Sequence, residues 1–335
     1  MAFSGKQFQV AFEEMVREVA ARPQQLIALW KQRFRNMPQT NFELGKEFAR
    51  RGQLKDAAFR FKLSLKLASQ QPEAWYQLGM VNVRLGKKSE AKSALLEALK
   101  LRRPFPEVAY LLATIDVNAL PPAERPTRMP EGMVENYFAQ QAPHYNALEA
   151  QKHYQAPTLL VEQLRPHLTS MSGLTLVDLG CGTGLLAKHW GKVASRIIGL
   201  ELIPAMAAQA RALKGVNDTA LYHEVIEADI RQASHHIDHG SADVVLCGNV
   251  LPYMGDVSLM LRDTVLILKS GGLLALTCEP FSGGDFGVVG STGRFGHSLG
   301  YLERQTSAIG LRLLSQANLA LYPQQPSLVC VFQKA

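Results

Sequence analysis

The chain has 335 residues, 47% of them hydrophobic, with 36 Lys/Arg against 29 Asp/Glu. That length suits about two domains, each with enough apolar residues for its own core. No apolar run reaches the ~18 residues of a bilayer span, and the start has no apolar signal core, so a membrane or secreted protein is not expected.

Cys181, Cys247, Cys278 and Cys330 fall in or beside predicted strands or turns, without metal-ligand spacing. Free buried thiols in a reducing cytoplasm are the expectation, with no metal site. The basic surplus is unevenly placed. Residues 1–100 hold 18 Lys/Arg and 9 Asp/Glu, and residues 101–335 hold 18 and 20.

Residues 38–105 repeat with a period of 34. Leu44-Gly45 returns as Leu78-Gly79, Gly52 as Gly86, Ala57 as Ala91, Phe61 as Leu95, and Pro72 as Pro106. Small residues sit where two helices would cross and large ones between them, and the pattern resembles tetratricopeptide repeats. Two repeats rarely suffice for stability, so flanking helices are expected at about 8–35 and 106–116 to complete a helical domain over 1–117. Stacked helix pairs offer a surface for a protein partner or substrate, or they brace the molecule or make an oligomer. Aromatics interleaved with the basic residues are lacking, so nucleic acid is not the expected partner.

Ala119–Pro130 carries four prolines in twelve residues, which removes backbone donors and disfavours helix. A linker over 118–132 follows, with a second domain over 133–335. There, Leu174-Thr-Leu-Val-Asp-Leu reads as a strand, followed by Gly180-x-Gly182-x-Gly184 and an apolar helix start. Such a turn exposes backbone at a strand's carboxyl end, where open α/β sheets bind ligands. A dinucleotide site prefers G-x-G-x-x-G, and Asp178 at the mouth suits a positively charged ligand better than phosphates. Further strands are predicted at Arg196–Leu200, Ala220–Ile226, Ala242–Cys247, Leu266–Cys278, Leu311–Leu321 and Leu328–Phe332. Together with the first they give a seven-stranded, doubly wound α/β sheet closed by an antiparallel hairpin.

The run Asp178-Leu-Gly-Cys-Gly-Thr-Gly184 resembles the first motif of class I S-adenosylmethionine-dependent methyltransferases. The resemblance implies S-adenosylmethionine as cofactor, with Asp178, Gly180, Cys181, Gly182 and Gly184 around it. Glu201, 23 residues after Asp178, would accept the ribose hydroxyls, with Leu202 beside it. Asp229 would meet the adenine amino group and Ile230 the ring, while Asn249 and Val250 lie near the methionine moiety. Asn249–Tyr253 departs from the Asn-Pro-Pro-aromatic loop of amino-methylating enzymes, because two residues separate Asn249 from Pro252. Tyr137–Asn146 resembles the segment before the first motif in many small-molecule-type relatives, with Phe138, Ala142, Tyr145 and Asn146 matching and Ala139 where an acid is common. Tyr145 would then close over the methionine end.

The acceptor is not encoded in these motifs. His297 and Glu279 are the candidate catalytic groups, and Asp285 lies in a glycine-rich loop nearby. Arg294–Tyr301 resembles a segment of tetratricopeptide-repeat-containing methyltransferase-like proteins. His235, His236 and His239 fall between two strands, away from the ligand edge, and read as a solvated loop. The expected function is cytoplasmic methyl transfer to a protein recruited by the repeats. The alternatives are a small-molecule or carrier-bound acceptor with the repeats as docking module, or a non-catalytic adenosyl-binding scaffold.

Overall fold

The computed structural model describes residues 23–335 apart from 171, 192, 216, 217 and 324, with side chains from residue 36 onward. It divides into two compact units, Met1–Ile115 and Asp116–Ala335. The division falls just ahead of the proline-rich stretch. Residues 8–22 of the first expected flanking helix lie outside the described residues.

The first unit is a run of helices, each packed on its chain neighbour: α1 (Pro23–Arg50), α2 (Leu54–Leu67), α3 (Pro72–Arg84), α4 (Lys88–Leu101) and α5 (Pro106–Ile115). The 34-residue period is a period of structure as well as of sequence. Gly52 and Gly86 take φ of +76° and +73°, and each ends its helix the same way. Gln53 N–H donates to Phe48 O and Lys87 N–H to Asn82 O, both at 2.9 Å, which closes the preceding helix as a left-handed glycine allows. The helix crossings repeat too. A Cβ on Gly45 would lie 2.6 Å from the Phe61 ring, and one on Gly79 would lie 2.6 Å from Leu95. Phe61 and Leu95 are fully buried in these gaps, as are Ala57 and Ala91.

In the second unit β1 (Leu174–Leu179), β2 (Ala194–Glu201), β3 (Glu224–Glu227), β4 (Ala242–Cys247) and β5 (Leu268–Pro280) pair in parallel in the order β3-β2-β1-β4-β5. The antiparallel hairpin of β8 (Leu311–Tyr322) and β9 (Gln325–Lys334) continues the sheet, β9 running antiparallel to β5. These are the seven strands expected. Among the described residues the sheet has nine, because β6 (Phe286–Val289) and β7 (Arg294–His297) form a further hairpin whose second strand pairs with the last two residues of β5.

Strand alternation divides the core between the two faces. Val177, Leu179, Val245 and Leu274 pack under α11 (Ser258–Ile267) and α12 (Leu299–Ser307). Leu174, Leu176, Val244 and Leu246 pack under α8 (Ala156–Leu164), α9 (Ala187–Trp190) and α10 (Pro204–Ala212). Ahead of the sheet, α6 (Glu131–Gln141) and α7 (Tyr145–Gln151) hold the aromatic segment. The proline-rich stretch is tied to the sheet edge: Met129 N–H donates to Tyr253 O, and Gly255 N–H to Thr127 O at 2.8 Å. All four cysteines are buried free thiols. No helix among the described residues is long and apolar enough to cross a membrane.

Gly45→Ala and Gly79→Ala each overpack a helix crossing, and each is expected to cost about 1–3 kcal/mol. Gly52→Ala, where a Cβ has free space but φ is positive, is expected to cost less, about 1 kcal/mol. Chemical denaturation followed by far-ultraviolet circular dichroism checks the ranking.

Candidate active site

The strand order reverses between β1 and β4, and the crevice at their carboxyl ends is where an open α/β sheet places its ligand. A cavity of about 150 Å³ lies there. The glycine turn after β1 forms its floor. Gly180 and Gly182 have φ of +67° and +57°. A Cβ on Gly182 would meet only Met206, at 3.8 Å, so glycine leaves open space over the turn.

Glu201, the last residue of β2, organises this floor. Its Oε2 accepts from Gly182 N–H at 2.7 Å and its Oε1 from Ile203 N–H at 2.9 Å. One carboxylate thus ties the turn after β1 to the start of α10. Burial raises its carboxyl, against the backbone N–H groups of Ile203, Gly182 and Leu202, which favour the ionised form. Each oxygen keeps a second lone pair for a ligand hydroxyl.

Asp229 follows β3 and lines the cavity with Ile230. Burial works against its charge, yet the Arg231 guanidinium and backbone N–H hold its carboxyl below the usual range. Arg231 reaches both oxygens, so Asp229 enters the cavity already paired.

Asn249 lines the opposite wall with left-handed φ of +59°, which asparagine tolerates better than most residues. Its N–H donates to Thr277 Oγ1 at 2.7 Å and its Nδ2 to Tyr322 Oη at 3.1 Å. Tyr322 in turn donates to the buried Glu149. Phe138 on α6, Tyr145 on α7 and Tyr253 close the aromatic side, with the Phe138 ring edge-on to Tyr253 at 5.1 Å. Burial pushes the Tyr145 phenol well up, so it stays protonated.

Of the residues expected around a cofactor, Gly180, Gly182, Glu201, Leu202, Asp229, Ile230, Asn249, Val250 and Tyr145 line this cavity. Asp178, Cys181 and Gly184 do not. Asp178 shares its sheet face with Leu174 and Leu176, so its side chain enters the core and accepts from Tyr222 Oη at 2.7 Å. Burial pushes its carboxyl up to about 7. The Cys181 thiol packs beside Gly199, and a Cβ on Gly184 would meet Leu213 at 2.5 Å and Tyr222 at 2.8 Å. These three shape the turn from beneath.

The two candidate catalytic groups are also off the cavity. His297 is fully buried on β7, its Nε2 bonded to Gly255 O at 2.9 Å and its ring stacked on Tyr301. Burial drives its pKa down to about 4, so it is neutral and enclosed rather than poised as a base. Glu279 is buried too, and its Oε1 accepts from Thr292 Oγ1. Sequence reasoning missed Ile203 and Met206, whose i, i+3 spacing after Glu201 was a readable signal. It also missed Arg128 and Met129, which reach the cavity from the proline-rich stretch through contacts that no local pattern encodes.

Because His297 is protonated more readily when unfolded (about 6.5) than when folded (about 4), acid favours the unfolded chain. The wild type is expected to lose stability relative to His297→Gln as pH falls from about 6.5 to about 4, by at most about 1.4 kcal/mol per pH unit. Equal pH slopes for the two proteins would remove the buried neutral imidazole.

Residues 177–276 match the family model for a Methyltransferase domain. A ubiquinone biosynthesis O-methyltransferase of Albidiferax ferrireducens is 30% identical over 109 residues, covering 32% of this chain and 41% of that protein. One from Xanthomonas oryzae is 27% identical over 107 residues, covering 32% and 44%. The chain thus spans about two fifths of the length of these curated relatives. A solved S-adenosylmethionine-dependent methyltransferase of Leishmania major superposes with a TM-score of 0.51 at 16% identity, covering 60% of this chain and 82% of that one, a likeness of fold. Family match, sheet order and glycine floor agree on one region: residues 177–276, within the unit Asp116–Ala335, match a methyltransferase domain.

Proposed function

We propose that this chain transfers the methyl group of S-adenosylmethionine to a small-molecule acceptor. The observation that carries the reading is Glu201, a buried carboxylate at the end of β2 that faces the cavity while holding the backbone of both adjoining turns. When bound, S-adenosylmethionine supplies a sulfonium methyl that is already electrophilic.

The chain's own residues then bind, orient and exclude water. Glu201 would accept the two ribose hydroxyls on its remaining lone pairs, and Gly182 would leave the backbone open to the ligand. Ile230 would support the adenine ring, with Asp229 sharing its oxygens between Arg231 and the amino group. Phe138, Tyr145 and Tyr253 would cover the methyl-bearing end. Holding an acceptor in line can remove roughly 7–11 kcal/mol of a barrier. With His297 neutral and enclosed and Glu279 off the cavity, an acceptor that arrives ionised, such as a phenolate or thiolate, suits this site.

An enclosed aromatic wall and relatives named as O-methyltransferases support a small acceptor. The repeating helical unit and its basic surplus support a second reading, in which tetratricopeptide repeats bring a protein to the site. Labelled methyl transferred into a fractionated host lysate separates the two. Label among small molecules is expected, whereas label in a discrete protein band would favour the repeats as substrate reader.

Glu201→Gln removes one acceptor oxygen and one backbone anchor. S-adenosylhomocysteine affinity, measured by calorimetry, is expected to fall about 10–100-fold, the worth of one or two hydrogen bonds to a charged group. Unchanged affinity would remove Glu201 from the cofactor site.

A further inference from the structure

Six buried side-chain polar atoms among the described residues lack a hydrogen-bond partner, and three of them share one corner of the sheet. They are Glu279 Oε2 at the end of β5, and Arg294 Nη1 and His297 Nδ1 on β7. Buried polar atoms in native proteins are nearly all paired, so orphans gathered at one place call for an occupant. Thr292 joins the first two residues: its Oγ1 donates to Glu279 Oε1 at 2.9 Å and accepts from Arg294 N–H at 3.2 Å. The free oxygen of Glu279 and the free nitrogen of Arg294 are not bonded to each other.

None of the three residues lines the cavity itself; the corner lies directly behind Tyr253, which does. Strand β7 packs on Leu251–Tyr253, the turn that carries Tyr253 into the aromatic wall, and His297 pins the same stretch through Gly255 O. The Arg294 charge bears on the hydroxyls of Tyr253, Tyr322 and Tyr137, from three separate elements. Burial pushes Tyr253 up to about 12, so it offers a neutral hydroxyl and no counter-charge. Glu279, the acid acting on Arg294, is itself raised by burial, against its bond from Thr292.

We propose that Arg294 is a specificity-determining residue at the acceptor end of the cavity, and that the acceptor is an aromatic carboxylate. The guanidinium fork matches a planar carboxylate with two parallel hydrogen bonds. The rings of Phe138 and Tyr253 supply the apolar wall that an aromatic body needs. The proposal rests on the reading of this cavity as a methyl-transfer site, since that reading makes its far end an acceptor site.

Benzoate and benzyl alcohol, a pair differing in charge, serve as probes against the full chain with and without saturating S-adenosylhomocysteine, read by saturation-transfer NMR titration. Benzoate is expected to bind at least about tenfold more tightly than benzyl alcohol, a difference one charge-assisted pair can supply. Arg294→Met is expected to erase that preference while leaving S-adenosylhomocysteine affinity and the unfolding midpoint unchanged. Arg294→Lys, which keeps charge but loses the fork, should fall between. Equal binding of the two probes by the wild type overturns the proposal. So does benzoate binding that survives Arg294→Met, which would place it elsewhere on a basic protein. Failure of S-adenosylhomocysteine to bind the wild type sinks the cofactor reading instead, and the benzoate comparison without it still decides the anion site.

Discussion

The site depends on one buried carboxylate. Glu201 ends β2 where the sheet gives way to loops, and its two oxygens take N–H groups from two different βα turns. Burying a charge is costly unless it is hydrogen-bonded, and backbone donors meet that condition here without a cation. A neighbouring lysine or arginine would have neutralised the carboxylate and filled its lone pairs. Backbone donors leave acceptor capacity facing the cavity. The geometry of Gly182 follows from the same bond, since its left-handed turn aims its N–H at Glu201. Fold and ligand chemistry meet in these few atoms.

Much of this was readable in the sequence, because the relevant signals are local. Strand ends, glycine spacing and an acid after the second strand lie in short runs whose meaning does not depend on distant residues. The departures from the cavity lining have physical reasons. Asp178, Cys181 and Gly184 stand in the same motif as Gly180 and Gly182, yet strand parity and close packing send them into the core. Counting parity from Leu174 places Asp178 on the face of Leu174 and Leu176, with Tyr222 as its partner there. The β6–β7 hairpin escaped notice because Phe286–Val289 and Arg294–His297 are short and glycine-broken, with no alternation to mark them. His297, a candidate catalytic group by sequence, is for the same reason a buried residue of a strand that the sequence does not mark. Arg128 and Met129 are in place through hydrogen bonds to residues 253–256, more than a hundred positions away.

The helical unit was legible for a different reason. A period of 34 means that one packing solution is used twice, so Gly45 against Phe61 predicts Gly79 against Leu95. The substitution of Phe61 by Leu95 at the second crossing shows what the constraint is. The glycine is fixed, and the residue filling its gap must be large and apolar without having one shape. Repetition makes the pattern stand out even where each single residue carries little information.

The nine-stranded sheet separates two tasks along β5. From Leu273 to Leu276 this strand is held on one side by β4 and on the other by β9, which is the ordinary interior of the sheet. Its last residues, Glu279 and Pro280, run past β9 and would leave an open edge. Strand β7 takes that edge in parallel, which seats Arg294 and His297 beside the turn carrying Tyr253. The end proposed for the cofactor is built from β1, β2 and β4, whose register is fixed by a core on both faces. The far end is built on a short hairpin that meets the parallel sheet only at the last two residues of β5, apart from the strands that carry the glycine floor. An acceptor preference placed on that hairpin can therefore change while Glu201 and the glycine floor stay as they are.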